Sequence, residues 1–266
     1  MCNEIDNCEK NVKKLHKQAI LTHFPEKDFN VIVYGTIGST NTEARRLLEE
    51  GYEPPFLLVS EEQTAGRGRH GNSFFSPESG LYYTLVIRPE CIEEAIAKTT
   101  IAAAVSLLEA IQETADITCE IKWVNDLYYQ NRKVAGILCE APRIHSQSVK
   151  DIIIGIGVNI SQSVFPEELI GKAGSLGRPD LDRNLLAGIL TSKLLYWCSH
   201  LNDPKLIALY KKHSFLLGKE VSFLLNGTEH QGTARDITAD GNLIVEGSKT
   251  WILSSGEVSL SRWESK

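Results

Sequence analysis

Residues 151–159 constrain this chain more than any other segment. They form a near-continuous apolar run interrupted only by Gly155 and Gly157, and they end at Asn159. A run of this length and character reads as a buried strand. Glycines inside such a strand mark a place where something approaches the backbone closely. The chain must therefore build a core around this strand while leaving space beside part of it.

Further elements fall into place around that strand. Residues 30–34 are β-branched and stop at Gly35, which suggests a strand. Thr40 stands three residues before Glu43, so a capping box is expected to open a helix that stops at Gly51. Pro54 and Pro55 precede a strand-like run at 56–60, and 81–87 reads as another strand. Residues 92–115 lack Gly and Pro and should form the longest helix. Short strands are expected at 120–124 and 126–129, then a polar hairpin turn and a strand over 134–139. Residues 184–200 and 203–213 read as helices. After Phe215 the texture changes: Asn226-Gly227 and Asp240-Gly241 punctuate short alternating runs, the pattern of hairpins. This divides the chain into 1–28, a tail or short helix around Leu15, Ile20 and Leu21; 29–214, the main unit; and 215–266, a small β module.

Composition narrows the function. The chain has 266 residues, 42% hydrophobic and 23% charged, with a formal net charge of −6. That balance argues against broad nucleic-acid binding, which needs a basic surface. Any bound anion should be small and held by a few placed residues. The six cysteines form no C-x-x-C pair, which leaves a zinc or thioredoxin-like motif unsupported. The acidic N-terminus has no apolar h-region, and no apolar run could span a bilayer. A cytoplasmic protein with reduced thiols and no membrane partner is expected.

Four motifs carry chemistry. Gly66, Gly68 and Gly71 match the dinucleotide fingerprint in letters, but Asn72-Ser73-Phe74-Phe75-Ser76-Pro77 follows where a helix must start, so that reading is rejected. Arg67 and Arg69 among these glycines suit an anion, because guanidinium forks match phosphate and carboxylate; a solvated basic loop is the plainer alternative. Lys133 leaves a turn and enters an apolar strand after Lys122-Trp123-Val124-Asn125-Asp126, where a fixed charge could offset developing negative charge; a merely polar turn explains it too. Gly155-Ile156-Gly157-Val158-Asn159 leaves room beside a strand, or simply ends in a turn-forming amide. Ser39-Thr40-Asn41 caps a helix and could also hold a polar ligand head.

The order and wording of these segments together are far more specific than any one of them. Ser39-Thr40-Asn41, Gln63-Thr64-Ala65-Gly66-Arg67-Gly68-Arg69-His70-Gly71, Lys122-Trp123-Val124-Asn125-Asp126, Lys133-Val134-Ala135-Gly136 and Gly155-Ile156-Gly157-Val158-Asn159 closely resemble a biotin protein ligase, from about residue 30 to the C-terminus. The resemblance implies an α+β fold. A mixed β-sheet with helices packed on one face, the class II synthetase-like catalytic fold, should precede a small C-terminal SH3-like β-barrel. It implies biotin and ATP as substrates, a magnesium ion, and biotinyl-adenylate as intermediate. The acceptor would be a biotin carboxyl carrier protein or domain of a biotin-dependent carboxylase, and homodimers occur in the family.

Residue by residue, the resemblance places biotin at Ser39, Thr40 and Asn41, with Gln63 before a loop, Gly66, Arg67, Gly68 and Arg69, that orders over the adenylate. Tyr82 would line the biotin pocket, Gly136 and Gly155 would flank biotin, and Asn125, Asp126 and Asn159 would face the nucleotide. Lys133, Arg67 and Arg69 would carry catalysis, and no protein-held metal site is implied. Val124 departs from the family's usual proline, and His70 and Asn72 from its more basic loop end. Some thirty residues before the first strand are too few for the regulatory branch's DNA-binding module, so a non-repressor type is expected. A lipoate ligase or octanoyltransferase, which shares the catalytic fold, and a biotin-sensing repressor are the competing readings.

Overall fold

The computed structural model describes residues 13–24, 29–144, 148–254, 256 and 258–260. Most of the N-terminal tail, and Pro25 with it, lies outside these residues. In chain order the elements are α1 (Lys17–Leu21), β1 (Asn30–Ile37), α2 (Thr40–Glu49), β2 (Phe56–Gln63), β3 (Gly80–Ile87), α3 (Ile92–Ala115), β4 (Glu120–Lys122), β5 (Asp126–Tyr129), β6 (Arg132–Glu140), β7 (Ile152–Asn159), α4 (Arg183–Ser199), α5 (Pro204–Lys212), β8 (Glu220–Leu225), β9 (Thr228–Ile237), β10 (Leu243–Glu246), β11 (Thr250–Leu253) and β12 (Val258–Leu260).

The expected strand at 151–159 sits in the middle of a seven-stranded sheet, in the order β1-β2-β3-β7-β6-β5-β4. The β1–β2 pair is parallel and every other pair is antiparallel, so the sheet is mixed. Strand alternation divides the sheet chemically. Leu57, Val59, Leu85, Ile154 and Ile156 face the main core with α1, α3, α4 and α5. Phe56, Leu58, Val86 and Ile153 face a smaller cluster with Ala44, Leu47 and Leu48 of α2. The long helices thus form the expected single layer, and α2 alone covers part of the opposite face.

Several local expectations change in extent. β1 runs past Gly35 to Ile37 and β2 past Ser60 to Gln63, because both continue their parallel pairing. The strand expected over 120–124 stops at Lys122, and the Trp123–Val124 peptide is cis. The β5–β6 turn is tight: Gln130 and Asn131 both take positive φ, as a two-residue hairpin requires. Asn226 and Gly227 do the same between β8 and β9.

The C-terminal strands form a separate antiparallel sheet, in the order β11-β10-β9-β8-β12. It is anchored firmly to the larger unit. Trp123 Nε1 donates to the Gly241 carbonyl at 2.8 Å, and the Tyr128 and Phe215 rings stack at 5.0 Å. Val221, Phe223, Ala234 and Val245 join the main core, so the hydrophobic interior is continuous across both sheets. Among the described residues, no helix is long and apolar enough to cross a membrane.

One buried ion pair fastens the N-terminal segment. Arg183 Nη2 lies 2.5 Å from Glu61 Oε2, and the arginine side chain is 2% exposed. The same guanidinium donates to the carbonyls of Lys13, Glu78 and Gly80, while Glu61 accepts from the Leu15 amide. Removing one partner leaves the other charge buried and unmatched, so Arg183→Ala should cost about 3–5 kcal/mol. Urea denaturation followed by circular dichroism measures the loss.

Candidate active site

The floor of the site is bare backbone. Gly136 of β6 pairs across the strands with Gly157 of β7, and Gly155 pairs with Leu138. All four project on the face shared with α2. A methyl group on Gly155 would stand 2.1 Å from Asn41 Oδ1, and one on Gly157 would stand 2.4 Å from the Phe74 ring. The space the glycines vacate is thus taken by two side chains from elsewhere, Asn41 from the first turn of α2 and Phe74 from beyond the glycine-arginine loop. Gly136 sits beneath both the Phe74 ring and the Lys133 side chain.

The turn before α2 differs from the expected capping box. Ser39 is the cap, its hydroxyl accepting from the Thr42 amide, and Thr40 is the first helical residue. Thr40 is turned instead toward Gln63. Gln63 Oε1 accepts from the Thr40 amide at 2.8 Å and from its hydroxyl at 3.0 Å. Thr84 Oγ1 bonds both Thr40 Oγ1 and Asn41 Oδ1. Glu43 is drawn away because Arg46 and Tyr34 bind its carboxylate, and the arginine holds that carboxyl below its usual range despite partial burial.

The loop folds back on itself. Gly68 N donates to Asn72 O and Phe74 N to Gly66 O, and no α-helix follows. The rejected dinucleotide reading is thereby explained in geometry. Gly66 is needed for close approach: a Cβ there would meet Phe74 O at 2.4 Å. Arg67 forks onto Glu140 at 3.1 and 3.2 Å, and Arg69 Nη1 donates to Asn125 Oδ1 at 3.0 Å. Asn125 is itself fixed by donating to the Ile137 carbonyl at 2.9 Å. Lys133 Nζ lies 2.8 Å from Asp126 Oδ1. That oxygen has no well-directed hydrogen bond, so the contact is chiefly Coulombic.

These residues surround a cavity of about 540 Å³, within the range of a small-molecule site. The structure brings together Ser39, Thr40, Asn41, Gln63, Arg67, Gly68, Arg69, Asn125, Asp126, Lys133, Gly136 and Gly155 as expected. Three expected residues do not line it. Gly66 is buried behind Phe74 in the loop. Tyr82 is fully buried and donates to the Pro77 carbonyl at 2.6 Å, and burial pushes its phenol up, keeping it a neutral structural donor. Asn159 is buried too, donating to the Gly174 carbonyl at 2.9 Å instead of facing the cavity. It thereby ties the segment after residue 172 to the end of β7.

Other residues enter the site that sequence reasoning missed. Phe74 was readable only as a residue spoiling a helix start, although an aromatic just after a glycine-rich loop was the available signal. Lys122 and Trp123, quoted in the motif but given no role, line the cavity with Lys172, as do Gly256 just before β12 and Val258 and Ser259 of β12. The last three carry no local signal, since β12 and the residue leading into it are placed by pairing with the distant β8. Cys139 stands on β6 beside Glu140, but burial pushes its thiol up to about 12, so it stays protonated and is no nucleophile near neutral pH.

Electrostatically the cavity opposes the chain as a whole. Arg67, Arg69, Lys122, Lys133 and Lys172 line it against one carboxylate, Asp126, within a chain of net charge −6. Such a pocket concentrates and orients anions. Among the described residues there is no group of three or more His, Cys, Asp or Glu able to hold a metal. Asp126 is the single carboxylate within the lining.

Comparison with known proteins places the chain beside biotin ligases. The model of the biotin/lipoate A/B protein ligase family matches residues 34–159, and that of the biotin protein ligase C terminal domain matches 216–261. The bifunctional ligase/repressor BirA of Bacillus subtilis is 31% identical over 227 residues, 82% of this chain and 69% of that protein. The biotin--[acetyl-CoA-carboxylase] ligase of Mycobacterium tuberculosis is 29% identical, over 85% of this chain and 87% of its own. The solved structure of biotin protein ligase from Aquifex aeolicus in complex with biotin and ATP superposes with a TM-score of 0.75 at 28% identity. That match covers 88% of this chain and 99% of the other.

The glycine floor makes a direct prediction. Gly155→Ala must push Asn41 out of its bonds to Thr84 and Glu140, and should destabilise the fold by roughly 1–3 kcal/mol through overpacking. Denaturant midpoints of the variant and the parent protein measure it.

Proposed function

The chain belongs to the biotin/lipoate A/B protein ligase family, and from that premise we propose how its cavity performs ATP-dependent biotin–protein ligation. In the first step the biotin carboxylate attacks the α-phosphorus of ATP, and pyrophosphate leaves with the electrons of the broken P–O bond. In the second, the amine of an acceptor lysine attacks the carbonyl of biotinyl-5'-AMP. An amide forms, AMP leaves, and the amine gives up its proton. The acceptor is a biotin carboxyl carrier protein or domain, the natural partner of this family.

The observation that carries the reading is the cationic cavity built over a side-chain-free floor. Two anions must meet in the first step, and fixed positive charges offset their repulsion without reorganising at the moment of reaction. Lys133 holds that role from the rigid β6 strand. Its pairing with Asp126 keeps the ammonium in place until a substrate anion competes for it. Arg67 and Arg69 bring further charge on a loop that can withdraw. The floor at Gly136, Gly155 and Gly157 lets Asn41 and Phe74 sink against the sheet, which leaves room above them for a bicyclic ligand, with Asn41 and Thr40 supplying polar contacts to its head. A mixed anhydride hydrolyses if water reaches it, so the loop serves as a lid over the intermediate. Magnesium would accompany the nucleotide phosphates and neutralise their charge.

The lipoate or octanoyl reading shares the catalytic fold, and the C-terminal match at 216–261 favours biotin over it. The repressor reading draws on relatives that are bifunctional, such as the Bacillus subtilis protein. The acidic balance of this chain favours the ligase alone over a DNA-binding repressor, and membership of the family is the ground for proposing a cytoplasmic homodimer.

Lys133→Ala should lower biotin-dependent exchange of pyrophosphate into ATP by at least about a hundredfold, the scale seen when one preorganised charge is removed. Exchange that survives in this variant would remove Lys133 from the mechanism. Mass spectrometry of a carrier domain incubated with ATP, biotin and the protein tests the second step. Equal labelling from lipoate in competition would overturn the choice of substrate.

A further inference from the structure

One carboxylate at the edge of the site has no part in the chemistry above. Glu140 ends β6 on the same face as Gly136 and Leu138, and its side chain is 15% exposed. It does not line the cavity. Yet it receives two residues that do: Arg67 through both guanidinium nitrogens at 3.1 and 3.2 Å, and Asn41 Nδ2 at 2.9 Å. Arg45 of α2 approaches the same carboxylate at 3.5 Å. A single side chain thus joins the loop, the first turn of α2 and the central sheet.

Backbone bonds from Thr64 to Ile37 and from Ala65 to Gly38 fix the base of the loop, and three side chains between Gly66 and Phe74 reach outward from it. Its internal bonds, Gly68 to Asn72 and Phe74 to Gly66, only close it on itself. Outward, Phe74 rests on Gly136 and Gly157, Arg69 reaches Asn125, and Arg67 reaches Glu140. Only the last of these is a charge-to-charge contact with bidentate geometry, which fixes direction as well as distance. The cavity stays open while this contact is made, so the contact is compatible with a ligand beneath the loop.

We propose that Glu140 is a positioning residue: it clasps Arg67 and Asn41 together, so the loop closes in register with the turn that holds the ligand head and keeps water from the adenylate. This rests on the ligase reading and on the loop's role as a lid. The clasp acts on confinement of the intermediate and does not touch the reacting atoms. Its loss should therefore appear as escape of biotinyl-adenylate before it appears as failure to make it.

The test compares parent protein, Glu140→Ala, Glu140→Gln, Arg67→Ala and the double variant Arg67→Ala/Glu140→Ala, with biotin, ATP and a carrier domain. The readout is the ratio of adenylate released or hydrolysed to biotin transferred. Glu140→Ala should raise that ratio about five-fold, the scale of a partly exposed, charge-assisted bidentate pair. Glu140→Gln, which keeps the amide-accepting oxygen, should raise it less. With Arg67 already removed, deleting Glu140 should change the ratio by less than about two-fold, because contacting partners are non-additive. An unchanged ratio in Glu140→Ala beside a raised one in Arg67→Ala overturns the clasp and leaves the ligase reading intact. So does a full, multiplicative effect in the double variant, which a general structural role would give. Should Glu140→Ala not fold, Glu140→Gln in both backgrounds decides by the same comparison. Absence of adenylate from the parent protein would overturn the ligase reading and the clasp with it.

Discussion

A strip of backbone without side chains in the centre of the large sheet is the constraint on which the site depends. Gly136, Gly155 and Gly157 lie next to one another across β6 and β7. Any larger residue at Gly155 or Gly157 would collide with Asn41 or Phe74. β7 meanwhile keeps its other face apolar, with Ile154, Ile156 and Val158 in the main core. Burial on that face stabilises the strand, and the glycines leave room on its opposite face for the Asn41 and Phe74 side chains that shape the cavity.

Charge is arranged around this floor by rigidity. Lys133 and Asn125 belong to paired strands or to the turn between them, and their partners come from the same hairpin. The arginines belong to a loop whose own bonds are local, and their partners come from distant parts of the chain. Fixed charge suits a chemical step, and detachable charge suits a lid. The carboxylate of Glu140 stands where the two systems meet.

The C-terminal sheet is more than an appendage in physical terms. Its core is continuous with the larger one, the Trp123–Gly241 bond crosses between them, and β12 brings Val258 and Ser259 to the cavity, with Gly256 just before it. A cavity walled by both sheets responds to anything that shifts one against the other. Trp123 is both a lining residue and the donor to Gly241, so it links the two directly.

By itself the sequence determined the elements whose signal is local. The helix over 92–115 appears at the expected residues because it lacks Gly and Pro and keeps an apolar face. The hairpin turns at 130–131 and 226–227 follow from residues that tolerate positive φ. The motif wording also singled out most of the cavity lining, since those residues must be specific types. Tertiary structure decided the rest. Thr40 is spent on Gln63 instead of capping its helix, and Tyr82 and Asn159 turn to carbonyls in neighbouring segments. Phe74, Lys172 and the β12 residues join the site through contacts with distant elements. Each of these outcomes depends on which polar group lies across a sheet or a loop, and pairings between residues far apart in sequence leave no trace in the local order of residues.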